Sequence, residues 1–278
     1  MSIQKKAGVI GWPIEQSRSP LIHGHWLQQH NIDGSYEKYA VAPEDLKSFI
    51  AQLATKNING INVTIPHKEH VIKLADKITD TTKAIGAANT LWFENNQLIA
   101  DNTDSYGFIT HLKKSAPHWH ANTPAMILGA GGAARAIIHA LQKEGVPEIY
   151  LTNRTITRAE NLAEEFGPPV KVIAWQEKEQ HLAQTHLLVN STSLGMTGKP
   201  PLEINIETMP ASATVYDIVY APLETKLLST AKSLGFTPID GLGMLLHQAV
   251  PGFEQWFGTR PDVTDELRQM IVKDLEQA

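Results

Sequence analysis

The sequence predicts an α/β protein built from two domains. Three observations carry that reading. Strand-like and helix-like segments alternate over most of the chain, a polar, proline-bearing stretch from Ser115 to Pro124 interrupts them, and a glycine turn set between a strand and a helix follows soon after. The 278 residues suit two domains of ordinary size. With 42% hydrophobic and 19% charged residues the chain is globular rather than disordered. A net charge of -5 argues against a nucleic-acid binder working through broad phosphate contacts, while leaving room for a local basic pocket. There are no cysteines, which removes disulfides and thiolate chemistry and fits a reducing, cytoplasmic setting.

The elements follow in order. Lys5 and Lys6 precede an apolar run from Ala7 to Ile14, but Gly8, Gly11 and Pro13 interrupt it and Glu15-Gln16 ends it. That pattern is a first strand, Ala7 to Gly11, entering a loop, and not a targeting segment. No stretch approaches the length of a membrane span. Ser19-Pro20 opens a helix, Ser19 as N-cap and Pro20 in the first turn, where a missing N–H costs nothing. A strand around Tyr36 to Val41, a helix from Glu44 to Lys56 and a strand from Gly60 to Ile65 come next, the last stopped by Pro66. Helical segments lead to two strands, Thr90 to Glu94 and Gln97 to Ala100, joined by the turn pair Asn95-Asn96. Asp104 to Lys114 reads as a helix.

Beyond the crossing the alternation is regular. Strands are expected at Ala125 to Leu128, Glu148 to Thr152, Val170 to Ala174, His186 to Asn190 and Val215 to Val219, with helices at Ala133 to Lys143 and Arg158 to Glu165. Short links between such units imply a parallel sheet with helices on both faces. The residues past Gly241 are helical, except at Pro251 and at a break near Gly258-Thr259-Arg260-Pro261.

Gly129-Ala130-Gly131-Gly132-Ala133-Ala134 lies between strand and helix, as a dinucleotide-binding turn requires. Gly129 permits the tight turn, Gly131 lets the backbone approach a pyrophosphate, and the small Ala134 lets helix and strand pack closely. The next strand ends Thr152-Asn153-Arg154-Thr155, with Arg158 close behind. No carboxylate stands there to bind a free ribose hydroxyl. Arg154 and Arg158 suit a 2′-phosphate and Asn153 and Thr155 can donate to it, so the cofactor expected is NADP rather than NAD.

Several segments are too polar for their places. Ser17-Arg18-Ser19-Pro20 lies between a strand and a helix, and Asn62-Val63-Thr64-Ile65-Pro66-His67-Lys68 ends a strand. Ala87-Ala88-Asn89-Thr90 and Asp101-Asn102-Thr103-Asp104 flank the later strand pair. Together with Gly11-Trp12-Pro13, the run Asp217 to Thr225 and the run Asp240 to Ala249, these motifs resemble those of the shikimate dehydrogenase family, in order, over roughly residues 8 to 257.

The resemblance implies an oxidoreductase that reversibly reduces 3-dehydroshikimate to shikimate with NADPH, in chorismate and aromatic amino-acid biosynthesis. It implies a substrate-binding and catalytic domain over residues 1–114, a Rossmann-like NADP-binding domain over 115–241 and C-terminal helices, 242–278, returning to the first domain. The partners expected are a small-molecule substrate and no nucleic acid or membrane, with the chain a monomer or homodimer. By the same resemblance Lys68 is the catalytic acid/base and Asp104 its partner. Ser17 and Ser19 hold the substrate carboxylate, Thr64, Asn89 and Gln248 bind hydroxyls, and Tyr220 makes a further contact. Gly129, Ala130, Gly131, Gly132 and Ala133, with Gly241, Ile218 and Asp80, contact the cofactor, Gly241 by letting the nicotinamide approach closely.

Physical readings stand beside these roles. Lys68 is expected in a first helical turn, where the positive end of the helix dipole favours its neutral form. Asp104 and Ser19 also read as plain helix N-caps. The twelve histidines invite a metal, yet His23 and His25 do not share a helix face, and no metal-binding motif accompanies them, so none is expected. A relative that prefers quinate or uses NAD, a silent NADP-binding regulator and a folate dehydrogenase of similar architecture are the alternatives. Retention of Lys68 and Asp104 argues against the second, and the serine pair against the third.

Overall fold

A computed structural model of the chain describes residues 5–277 and confirms a mixed α/β architecture with two sheets. The chain divides into two compact units. One comprises the described residues up to Thr103 together with those from Leu246 onward, and the other runs from Asp104 to Leu245.

The first unit is built on β1 (Lys5–Gly11), α1 (Ser19–Gln29), β2 (Gly34–Ala40), α2 (Leu46–Ala51), β3 (Ile58–Val63), β4 (Lys77–Ile78), α3 (Asp80–Ile85), β5 (Thr90–Glu94) and β6 (Gln97–Asp101). Its sheet has the order β2-β1-β3-β5-β6-β4. β1 runs parallel to β2 and β3, whereas β5 is antiparallel to both β3 and β6. The β5–β6 hairpin follows from Asn95 and Asn96, which both adopt positive φ, 50° and 61°, the backbone that lets a two-residue turn match strand twist. One core of this unit gathers Ile10, Ile58, Ile61, Val63, Leu91 and Ala100 from the strands and Ala88 from the loop before β5 with Leu46, Ile50 and Leu53 from the α2 region.

The second unit contains α4 (Asp104–Ser115), β7 (Ala125–Leu128), α5 (Gly132–Lys143), β8 (Ile149–Thr152), α6 (Ile156–Phe166), β9 (Val170–Val172), β10 (Leu187–Asn190), β11 (Thr214–Asp217), α7 (Lys226–Ser233) and β12 (Thr237–Ile239). Its sheet, β12-β11-β10-β7-β8-β9, is parallel throughout. Side chains alternate across a strand, so β7 sends Ala125 and Ile127 into one core and Met126 and Leu128 into the other. Burial on both faces is why these strands read as continuous apolar runs. Strand order reverses between β7 and β10, and ligands of such sheets bind outside the carboxyl ends of the strands at that point.

Two expectations need correction here. The boundary expected at 114/115 falls at 103/104, because α4 packs with the second unit: Phe108 stacks on Tyr216 at 4.9 Å, and Leu112 and Ala116 join its core. Helix α8 (Leu242–Phe257) runs through Pro251 without a break, and the second unit ends inside it at Leu245 rather than at 241. Phe253 and Trp256, 0% and 3% exposed, anchor the turns after the proline, so packing overrides local propensity. Helix α9 (Asp265–Gln277) packs on α1, and Trp26 Nε1 donates to Asp262 O at 3.0 Å.

Candidate active site

In the second unit, the segments at the carboxyl ends of β7 and β8 carry most of the residues expected to meet a nucleotide. Gly129 has φ 105°, a backbone reserved for glycine, and a Cβ there would lie 2.8 Å from Ser191 Oγ. Ser191 Oγ in turn donates to Leu128 O at 2.8 Å, so the β10 loop is laid against the glycine turn. Gly131 is the N-cap of α5 and Gly132 its first residue; a Cβ on either would meet nothing within 4 Å. The first-turn amides of α5 have no intrahelical acceptors and lie at the positive end of its dipole. Ala130 and Ala133 are half-buried, while Ala134 is fully buried against the core, as its small size led one to expect.

At the end of β8, Asn153 does something the sequence did not suggest. Its Oδ1 accepts from Ala130 N at 3.3 Å and its Nδ2 donates to Thr155 O at 2.8 Å. The amide is a clamp between two loops, and one of its two N–H donors is used within the chain. Thr155 is the N-cap of α6 without a side-chain capping bond, and it is exposed. Arg154 and Arg158 are exposed and form no ion pair among the described residues, whereas Arg135 is paired with Glu165.

Beyond β11, Ile218 N donates to Asn190 O at 3.0 Å and Gly241 N to Val219 O at 3.1 Å. A Cβ on Gly241 would fall 1.9 Å from Ile218 O. Glycine is required there by the approach of two stretches of this chain, so the expected reason, room for a nicotinamide, is not needed to explain it. Tyr220 is half-buried in the same loop. Asp217, missed by the sequence reading as a functional group, is fully buried. Its Oδ1 accepts from Asn190 Nδ2 (2.9 Å) and Val219 N (3.1 Å), and its Oδ2 from the Thr225 hydroxyl (2.7 Å). Burial pushes its pKa up to about 6, opposed by those three donors.

The first unit assembles a separate polar cluster. Gly11 is wedged against Thr64 and Ile14, and Trp12 N donates to Ile65 O at 3.0 Å, which holds the β1 and β3 loops together. Ser17 Oγ accepts from Ser19 N at 3.3 Å. Arg18, not Ser19, occupies the N-cap of α1; Ser19 and Pro20 are its first residues, and no side chain caps it. The Ser19 hydroxyl is therefore not consumed in capping. Arg18 Nε bonds Asp274 of α9 at 2.8 Å, tying the serine loop to the C-terminal helix.

Asn89 is the centre of this cluster. Its Oδ1 accepts from Thr103 N (2.8 Å), Thr103 Oγ1 (3.1 Å) and Thr90 Oγ1 (2.9 Å), and its Nδ2 donates to Gln248 Oε1 at 3.2 Å. Asn62, passed over in the sequence, donates to Asn89 O and Thr90 Oγ1 and accepts from the Tyr36 hydroxyl. Its signal was there: a polar amide in a strand whose neighbours Ile61 and Val63 are core. Lys68 is half-buried, and its carbonyl accepts from Ala88 N at 2.8 Å, which fixes it beside the Asn89 segment. It lies in turns before a short 3-10 stretch, Val71–Leu74, so no α-helix starts there and the helix-dipole argument does not apply. Asp80 is exposed in the first turn of α3, behind the capping Thr79, a place that suits an acidic residue regardless of ligand. Asp104 opens α4 in the second unit and is 9% exposed.

Comparison with known proteins adds three matches along the chain. Residues 9–91 match the family described as "Shikimate dehydrogenase substrate binding domain", residues 111–197 "Shikimate / quinate 5-dehydrogenase", and residues 241–268 "Shikimate 5'-dehydrogenase C-terminal domain". A relative from Brucella abortus (strain S19), named "Shikimate dehydrogenase (NADP(+))", is 50% identical over 281 aligned residues, covering 100% of this chain and 97% of the relative. Among solved structures, shikimate 5-dehydrogenase from Thermus thermophilus, in complex with NADP(H) and shikimate, is similar with TM-score 0.85 and 32% identity over 98% of this chain and 100% of that one. Quinate dehydrogenase from Corynebacterium glutamicum, in complex with NAD, is similar with TM-score 0.91 and 27% identity, covering 97% and 99%.

Proposed function

The chain belongs to the shikimate dehydrogenase family, and from that membership we propose that it catalyses the reversible, NADP-dependent interconversion of 3-dehydroshikimate and shikimate. The observation that carries the substrate reading is the convergence on Asn89. One amide bonded to Gln248, beside Thr90 and Thr103 and tied through the backbone to Lys68, is a donor and acceptor array suited to a ring bearing several hydroxyls.

The cofactor reading is supported by the residues around the glycine turn. The α5 amides and the unobstructed Gly131 suit a pyrophosphate, and Arg154 and Arg158 suit a 2′-phosphate at a strand end that carries no carboxylate. NADP(H), when bound, supplies or accepts the hydride. Ser17 and Ser19 hold the substrate carboxylate through hydroxyl donors. Thr64, Asn89 and Gln248 orient the ring hydroxyls, and Tyr220 contacts the ring. The Lys68 ammonium gives a proton to the carbonyl oxygen as it becomes an alkoxide and takes it back in the oxidative direction. Asp104 holds Lys68 in place and accepts from a hydroxyl. Asp80, Ile218 and Gly241 make the remaining cofactor contacts. The enzyme works in the cytoplasm as a monomer or homodimer, supplying aromatic amino-acid synthesis.

Purified protein given shikimate and NADP is expected to form NADPH, with NAD giving a much lower kcat/KM. Quinate belongs in a parallel reaction, since one matched family description includes it. Absence of NADPH above a no-enzyme control would end this reading. Lys68→Ala is expected to lower kcat by about 10²–10⁴ with little change in KM; a variant with undiminished kcat removes Lys68 from the acid/base role.

A further inference from the structure

Tyr36 on β2 is 8% exposed and carries a hydroxyl that the chemistry above does not use. That hydroxyl donates to Asn62 Oδ1 at 2.6 Å. The direction follows from the network. Asn62 Nδ2 already donates to Asn89 O at 3.0 Å and to Thr90 Oγ1 at 3.2 Å, so Oδ1 is the end turned toward Tyr36. With its proton given to Asn62, the phenol oxygen has only lone pairs left to offer.

Helix α1 covers the other side of the ring. His23 stacks flat on Tyr36, with centroids 4.0 Å apart and planes 8° from parallel. Ser19 is one helical turn before His23, and residues four apart share a helix face. Ser19 thus lies on the face that covers Tyr36, and it is itself only 8% exposed. Burial pushes the Tyr36 phenol well above its usual range, and the nearby Ser19 hydroxyl opposes that shift.

We propose that Tyr36 is a positioning residue that sets the Ser19 hydroxyl on one side and the Asn62–Asn89 amides on the other, so that the carboxylate-holding and hydroxyl-holding ends of the substrate site keep a fixed spacing. This rests on the function proposed above, in which Ser19 meets the carboxylate and Asn89 a ring hydroxyl. A serine hydroxyl is a free rotor, and a buried acceptor beside it narrows where its oxygen sits. When a carboxylate arrives, Ser19 can turn its proton outward, and Tyr36 loses no bond that its own proton makes.

The test is a double-mutant cycle on the steady-state KM for shikimate, using wild type, Tyr36→Phe, Ser19→Ala and the double variant, with KM for NADP and melting temperature measured alongside. Tyr36→Phe is isosteric and leaves Asn62 Oδ1 without its donor; shikimate KM is expected to rise about tenfold, with KM for NADP unchanged. If Tyr36 acts through Ser19, the double variant is no more than about twofold worse than the larger single effect. Asn62→Leu breaks the same chain from its other end and is expected to raise shikimate KM as well. A wild-type shikimate KM in either folded variant overturns the proposal and leaves Tyr36 a core residue, as do fully additive effects. Wild-type protein that does not turn over shikimate would instead remove the function on which the proposal rests.

Discussion

His23 is fully buried, and neither of its ring nitrogens meets hydrogen-bond geometry with any group among the described residues. The rings of Tyr36, Trp256, Trp26 and Phe253 surround it, with centroids 4.0, 5.5, 5.6 and 5.9 Å away. Burial drives its pKa from 6.5 down to about 3, with the nearby Asn62 amide opposing the shift. The folded chain therefore keeps this imidazole neutral, while the unfolded chain takes up a proton near the ordinary value. Its contribution to stability is present above pH 6.5 and is lost as pH falls toward about 3. At about pH 5 the unfolded form gains roughly RT ln 30, or about 2 kcal/mol, relative to about pH 7.5. Replacing His23 by Phe keeps a flat ring against Tyr36 and removes the titrating group. Urea unfolding of wild type and His23→Phe at the two pH values should show the variant losing about 2 kcal/mol less on acidification, with a difference of about 1 kcal/mol or less at the higher pH. All other histidines are common to both proteins and cancel in the comparison. Equal losses on acidification would refute the claim that His23 is held neutral by burial.

Asp217 carries the opposite sign. Its folded pKa is raised to about 6 from 3.8, so the stability it contributes is full below 3.8 and is lost as pH rises through about 6. Asp217→Asn, with Thr225 turning to accept, should raise stability by about 1–3 kcal/mol above about pH 7; a less stable variant in urea at that pH refutes the sign. Replacing Arg154 and Arg158 together by Ala should weaken NADP binding by roughly 10–100-fold while NAD binding changes little, read by calorimetry; equal losses for both nucleotides remove the 2′-phosphate assignment. Gly241→Ala should cost about 1–3 kcal/mol in the absence of any nucleotide, because the added Cβ meets the Ile218 backbone carbonyl and not a yielding side chain. An unaltered melting temperature would contradict that packing argument.

The parallel sheet was legible because its signals are local. Ala125 to Leu128 is an apolar run that meets a glycine turn, and alternate residues bury on opposite faces, so no distant contact is needed to read it. The first unit was less legible where tertiary contacts decide. β4 is two exposed residues, Lys77 and Ile78, that form a strand only because β6 lies beside them. Pro251 looked like a break until Phe253 and Trp256 are seen buried in the fold. Motifs marked Asn89 and Gln248, which bond each other directly, but the extension of that network through Asn62 to Tyr36 rests on partners distant in the chain.

The glycines show why a motif names positions more reliably than reasons. Gly131 and Gly241 were both assigned to close approach by a cofactor. At Gly241 the chain itself requires glycine, since Ile218 O already occupies the space of a Cβ. At Gly131 the backbone is extended, with φ −103°, and a side chain would meet no atom of the protein within 4 Å. No atom within 4 Å of that position demands glycine, which supports the proposed approach of a pyrophosphate to the bare backbone at the helix start. The same division applies to Asn153, whose amide links Ala130 to Thr155, and to the exposed Arg154 and Arg158 beside it: the fold accounts for the first, and for the second pair the account is the 2′-phosphate contact proposed above.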